Sequence, residues 1–106
     1  MARSRKKTLK AIISLAGVAA GHIAAYKDYP FSMKEATNYF GQASQLALSR
    51  TWAETEIDQV IEEATRQAAS FVNRRLDRAK ADELTEAIER IRPEIERWVR
   101  AEMKTK

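Results

Sequence analysis

The sequence predicts an all-α protein, and three observations support this fold class. The chain holds only three glycines and two prolines in 106 residues, so it offers few places to turn. Apolar residues recur at spacings of three and four through most of its length, which is the period of a helix with one buried face. No segment alternates apolar and polar residues for long enough to predict a strand. We therefore expect three or four helices.

The first predicted helix spans roughly Thr8 to Tyr26 and ends before Pro30, because proline disfavours helical geometry in the residue that precedes it. Residues 11–25 carry no charge and are apolar or small on almost every side. A helix without a polar face is normally buried all round. Three environments satisfy this requirement: the middle of a larger bundle, an assembly interface or a lipid bilayer.

The second and third helices are predicted from capping boxes, in which Ser or Thr precedes Glu by three residues. Ser32 with Glu35 marks the start of the second helix, and Thr51 with Glu54 marks the start of the third. The third helix continues to about Arg78, which would make it about 40 Å long.

The fourth helix is predicted over about Ala81 to Met103. Pro93 lies inside it, but the apolar seam stays in phase across the proline, so we expect a kink and not a break. Heptad spacing indicates packing along a neighbouring helix. The last two helices should form an antiparallel hairpin, with the first helix projecting as an arm. The seam consists of Ala81, Leu84, Ile88, Ile91, Ile95 and Trp98.

Positive charge is concentrated at the N-terminus. Residues 1–31 hold six cations and one acid, whereas residues 32–106 hold 13 cations and 14 acids. We therefore divide the chain into a basic N-terminal arm with its apolar helix, residues 1–31, and a helical bundle domain, residues 32–106. A basic block of this kind suits a polyanion, either nucleic acid or an anionic membrane surface. The predicted phosphate contacts are Arg3, Arg5, Lys6, Lys7 and Lys10.

A second basic cluster lies at the end of the third helix, and we add it as a further candidate for phosphate binding. The same side chains also suit the negative end of the helix dipole, which is the simpler interpretation. The cluster consists of Arg74, Arg75 and Arg78.

The composition argues against catalysis and metal binding. The chain has no cysteine, and His22 is its only histidine. Thiolate nucleophiles, disulfides and multi-histidine sites are therefore excluded. The acidic residues lack the Glu-x-x-His element of di-metal bundles. We predict a protein that is not an enzyme, with no cofactor and no metal.

The small residues of the first helix favour a protein interface. Gly17 and Gly21 have the GxxxG spacing that allows helices to approach closely. We predict that the first helix packs into a neighbouring copy of the chain. The predicted assembly residues are Ile12, Ile13, Gly17, Gly21, Ile23 and Trp98.

The start of the chain, MARSRKK, and the small-residue helix Ala11 to Ala25 resemble the α-helical coat proteins of filamentous archaeal viruses. This resemblance covers about a quarter of the chain and implies a basic helical arm that wraps DNA, with a helical bundle as the outer shell. It predicts a structural subunit, of coat or nucleoprotein type, that self-associates and binds nucleic acid independently of sequence, with DNA as the first choice. Its expected location is a virion or a cytoplasmic nucleoprotein assembly.

Two alternatives remain open at this point. The chain could be a small membrane-associated protein anchored by residues 9–26, although its uncharged run of 15 residues is shorter than the roughly 20 that span a bilayer. It could also be a soluble helical regulator that binds a protein partner.

Overall fold

A computed structural model describes residues 4–26, 30–76 and 81–105, and it confirms the all-α class. The described residues form four helices: α1 (Arg5–Ala25), α2 (Pro30–Ala47), α3 (Glu54–Arg75) and α4 (Ala81–Glu102). Among the described residues there is no strand, only an isolated bridge between Trp52 and Thr105. The molecule is elongated, measuring 44 × 25 × 22 Å.

The first three helices begin at other positions than the sequence predicted. α1 starts three residues before Thr8, and the Ser4 hydroxyl caps it by accepting a hydrogen bond from the backbone N–H of Lys7 at 3.2 Å. α2 starts at Pro30, because proline suits the first helical position, where no backbone donor is needed. Ser32 therefore lies inside α2, and its predicted cap with Glu35 is wrong.

The predicted cap of α3 is also wrong, by two residues. Glu56, and not Glu54, accepts a hydrogen bond from the backbone N–H at the helix start, which belongs to Ala53 (2.8 Å). Thr51 precedes the helix, which starts at Glu54, and the next residue, Trp52, has its backbone N–H bonded to the carbonyl of Lys104 at 2.8 Å. The 22 described residues of α3 span about 33 Å, shorter than expected.

α1 is the central helix of the bundle, so the predicted projecting arm is wrong. It contacts each of the other three helices. The core includes residues from all four helices, and the described residues on both sides of the proposed division at Phe31 contribute to it. The apolar surface that α1 shows on nearly every side is thus covered by its own chain. Its buried residues are Thr8, Leu9, Ile12, Ile13, Ala16, Gly17, Ala19, Ala20, Gly21 and Ala24.

α1 and α3 run parallel and approach each other closely at two glycines. Residue numbers rise together along the pair, from Arg5 beside Glu56 to Gly21 beside Phe71. A Cβ atom on Gly21 would lie 2.7 Å from Cδ1 of Phe71, and one on Gly17 would lie 3.0 Å from Cβ of Gln67. Atoms do not pack at such distances, so the absence of side chains at both glycines is what permits this approach.

The predicted antiparallel hairpin of the last two helices is confirmed. The hydrogen bond from Trp52 to Lys104 joins the start of α3 to the end of α4. α4 continues as one helix through Pro93, as its in-phase seam predicted. The buried face of α4 differs from the predicted seam in its first half, where the small Ala87 is buried and Ile88 is 37% exposed. Ala81, at the start of the predicted seam, is exposed as well.

Both tryptophans join helices at the core. The Trp52 side chain is fully buried, and its indole N–H donates to the carbonyl of Ala47 at 2.9 Å. The indole N–H of Trp98 donates to the Ser44 hydroxyl at 3.1 Å, and its ring stacks on Phe40 with centroids 5.8 Å apart. These contacts attach α2 to the other helices and explain why Trp98 is buried.

We expect Gly21→Ala to destabilise the protein by about 1–3 kcal/mol, because the added methyl group forces Phe71 or the α3 backbone away from α1. Gly41→Ala is the matched control, since nothing lies within 4 Å of the corresponding position. Alanine favours a helix over glycine by about 1 kcal/mol, so the control should be more stable than the parent. Urea unfolding followed by circular dichroism measures both changes. Stabilisation by both substitutions would contradict the close α1–α3 contact.

Candidate functional site

The fold gathers cations from distant parts of the chain at one end of the bundle. α1 and α3 begin at this end and α4 finishes there. Two contacts show this: Arg5 lies beside Glu56, and the Trp52 amide lies beside the Lys104 carbonyl. We call this region the basic end. Its cations along α1 and after α4 are Arg5, Lys6, Lys7, Lys10 and Lys104.

Arg5 fixes the position of the basic end. Its guanidinium donates to the two carboxylate oxygens of Glu56 at 2.6 and 2.8 Å and to the carbonyl of Thr51 at 2.7 Å. The same group lies 4.8 Å above the ring of Trp52. The hydrogen bonds that Arg5 donates to Glu56 raise the pKa of Arg5 above its ordinary value. This corrects the predicted role of Arg5, because its charge is already matched by a carboxylate and it serves to hold α1 against α3.

Lys6, Lys7 and Lys10 are exposed on the first two turns of α1. In the part of the chain that the structure describes, none of the three lysines forms an ion pair, and the first turn of α1 contains no acid. The N-terminal end of a helix is also the positive end of its dipole. These lysines therefore create a positive surface that attracts anions. Arg3, predicted to act with them, lies outside the described residues.

The second predicted cluster lies at the other end of the molecule. Arg74 and Arg75 are exposed in the last turn of α3, about 27 Å along the helix from Glu56. The Arg75 guanidinium lies 4.9 Å above the ring of Phe71. Since α1 and α3 are parallel, the two clusters do not form one local site. The position at the helix C-terminus agrees with stabilisation of the dipole, and Arg78 lies outside the described residues.

The predicted assembly residues are used inside a single chain, which corrects the proposed interface. Ile12, Ile13, Gly17, Gly21 and Trp98 are buried between helices, and Ile23 is half-buried. Another copy of the chain could reach the five buried residues only by opening the core.

A groove between α1 and α3 extends away from the basic end. Its first part has a volume of about 390 Å³ and includes Lys6 and Lys10. The adjoining part, of about 310 Å³, includes Lys10, Glu63 and Arg66. Lys10 and Gln59 line both parts, so the two parts of the groove are adjacent. We call it the α1–α3 groove.

Arg66 is the cation in this groove that the sequence analysis missed. It belongs to a helix far along the chain from Lys10, and only the parallel packing of α1 with α3 brings the two together. The signal available in the sequence was a stripe of small residues on α3, Ala64 and Ala68, that complements Gly17 and Gly21 on α1. Such a match predicts close helix pairing and hence the neighbours of Lys10.

His22 lies between α2 and α3, stacked on Tyr39 with centroids 5.9 Å apart and tilted against Phe71 at 4.8 Å. Its Nδ1 atom is buried and has no hydrogen-bond partner among the described residues. Burial lowers the pKa of His22, and Arg75 lowers it further, whereas Glu35 opposes this shift. In the described ranges, no group of three His, Cys, Asp or Glu side chains is placed to hold a metal.

α1 has the length and apolarity of a membrane-spanning helix, with a mean hydropathy of 1.5 over 18 residues. However, 56% of that window is buried inside the bundle, and the core helix of a globular protein has the same properties. The predicted anchor, residues 9–26, therefore already has an apolar environment within its own chain.

Comparison with known proteins gives no match among family models, curated proteins or solved structures. The resemblance of the N-terminal quarter to viral coat proteins stays a prediction.

The lowered pKa of His22 predicts that the protein loses stability as the pH falls below about 6.5. In that range the histidine of the unfolded chain binds a proton more readily than the histidine of the folded protein. The free energy of unfolding therefore rises with pH, and the contribution of His22 is complete above about pH 6.5. His22→Gln keeps a polar side chain but does not titrate. The measurement is urea unfolding at about pH 8 and about pH 5.5, where the parent should lose more stability than the variant. An equal loss in both proteins would show that His22 does not contribute.

Proposed function

We propose that this chain is a non-enzymatic nucleic-acid-binding protein that contacts phosphates through Lys6, Lys7 and Lys10. One observation carries the proposal: three exposed lysines, without acidic partners among the described residues, lie together on a helix start. The contact of Arg5 with Glu56 holds this helix start in place. The cations are thus presented on an ordered surface, which reduces the entropy lost when a ligand binds.

A polyanion suits this surface better than a single small anion. Lys6, Lys7 and Lys10 carry three positive charges within the first two turns of α1, more than a single phosphate group neutralises. A nucleic-acid backbone presents repeated charges, and each neutralised phosphate releases condensed counterions. Binding of this kind is independent of sequence and decreases steeply as the salt concentration rises.

The burial of α1 bears on the alternatives. Because ten of its residues lie in the core of the bundle, its apolar character no longer requires a membrane or a second copy of the chain. Self-association and a place in a virion stay predictions from the sequence. An anionic membrane surface and a protein partner both remain competitors for the lysines, and the membrane surface is included in the test.

We expect the double variant Lys6→Gln/Lys7→Gln to bind duplex DNA roughly 10-fold more weakly at low salt. The slope of log affinity against log salt should become shallower by about 0.9 for each lost phosphate contact. Fluorescence anisotropy with a labelled duplex of arbitrary sequence, titrated at several salt concentrations, measures both quantities. A labelled RNA of equal length tests the choice of nucleic acid.

The matched control is Lys34→Gln/Arg97→Gln, which removes the same charge from exposed positions on α2 and α4. It should retain most of the parent affinity. If the two double variants lost affinity equally, the loss would depend only on the net charge of the protein. This result would contradict a site at the basic end. Tighter binding to phosphatidylserine vesicles than to DNA would assign the surface to membranes instead.

A further inference from the structure

We propose that a nucleic-acid strand follows the α1–α3 groove beyond the basic end, where Arg66 contacts its phosphates and the Glu63 carboxylate weakens the binding. This inference rests on the proposed function and assigns the path of the ligand across the surface.

The path is supported by Lys10 and Gln59, which line both parts of the groove. A backbone bound at Lys6 and Lys10 therefore enters the second part directly. Arg66 lies on the α3 side of that second part, exposed, and forms no ion pair with the described residues. Lys6, Lys10 and Arg66 therefore form one line of cations that crosses from α1 to α3.

The remaining lining indicates recognition of the backbone and not of the bases. Ser14, Gln59 and Gln67 offer uncharged polar groups suited to phosphate and sugar oxygens. Binding through stacked bases uses aromatic platforms, and none of the described side chains that line the groove is aromatic. The ligand is thus a sugar-phosphate backbone of arbitrary sequence.

Glu63 provides a second test of the path, because its neutralisation should change the affinity in the opposite direction to the neutralisation of Arg66. Its carboxylate accepts a hydrogen bond from Nε2 of Gln59 at 3.1 Å and lines the same part of the groove as Lys10 and Arg66. A negative charge at this place repels a passing phosphate. Glu56, the other carboxylate at the groove, is matched by Arg5 and does not have this effect.

The experiment compares two neutralising substitutions with matched controls on α2 and α4, using the labelled duplex titrated at several salt concentrations. Arg66→Gln should weaken binding roughly 3- to 10-fold and reduce the salt slope by about 1, whereas Glu63→Gln should tighten binding roughly 3-fold. The controls Lys34→Gln on α2 and Glu89→Gln on α4 make the same charge changes at exposed positions without an ion pair among the described residues, and they should leave affinity near that of the parent. Arg66→Lys keeps the charge and should retain most of the binding, and urea unfolding checks that each variant is folded.

The outcomes separate this inference from the proposed function. If the parent binds and Lys6→Gln/Lys7→Gln weakens binding, but Arg66→Gln and Glu63→Gln behave like their controls, the path along the groove is overturned and the function stands. If the parent does not bind nucleic acid, the proposed function fails and this inference fails with it. Opposite shifts for Arg66→Gln and Glu63→Gln, absent in the controls, are the result that the groove predicts.

Discussion

The close packing of α1 against α3 is the constraint on which the rest of the structure depends. Gly17 and Gly21 remove the side chains that would separate the two helices, and the α3 backbone and Phe71 occupy that space. With α3 on one side, α1 is covered elsewhere by α2 and α4, so its apolar surface is buried. The same parallel pairing places Arg5 beside Glu56 and Lys10 near Arg66. Core packing and surface charge thus have one structural origin.

The features that depend on apolar periodicity were predicted well, whereas the helix starts and the features that depend on distant partners were not. Periodicity is a local property, so it indicated four helices, the hairpin and a helix that continues through Pro93. The uncharged run of α1 indicated that this helix is buried, but periodicity does not show which helix covers it. Its partner is α3, about fifty residues further along the chain, and this explains why a projecting arm was predicted in place of a central helix.

The candidate site divides in the same way. Lys6, Lys7 and Lys10 were found from charge density alone, and the structure places them together on an exposed helix start. The role of Arg5 depends on Glu56, 51 residues away, and no local pattern gives that pairing. Arg74 and Arg75 looked like additions to the same surface, but the parallel direction of α1 and α3 places them at the opposite end.

The electrostatics of the first turn of α1 favour a ligand over a purely structural role. Cations at the positive end of a helix dipole are unfavourable, by about 0.3–1 kcal/mol each when exposed. Glu56 offsets this cost for Arg5, but no described acid pairs with Lys6 or Lys7. A sequence optimised for helix stability alone would place Asp or Glu at these positions. Local rules are most often broken at functional sites, where binding compensates for lost stability. A bound phosphate would supply the missing negative charge at the end of the bundle where Arg5 and Glu56 hold α1 against α3.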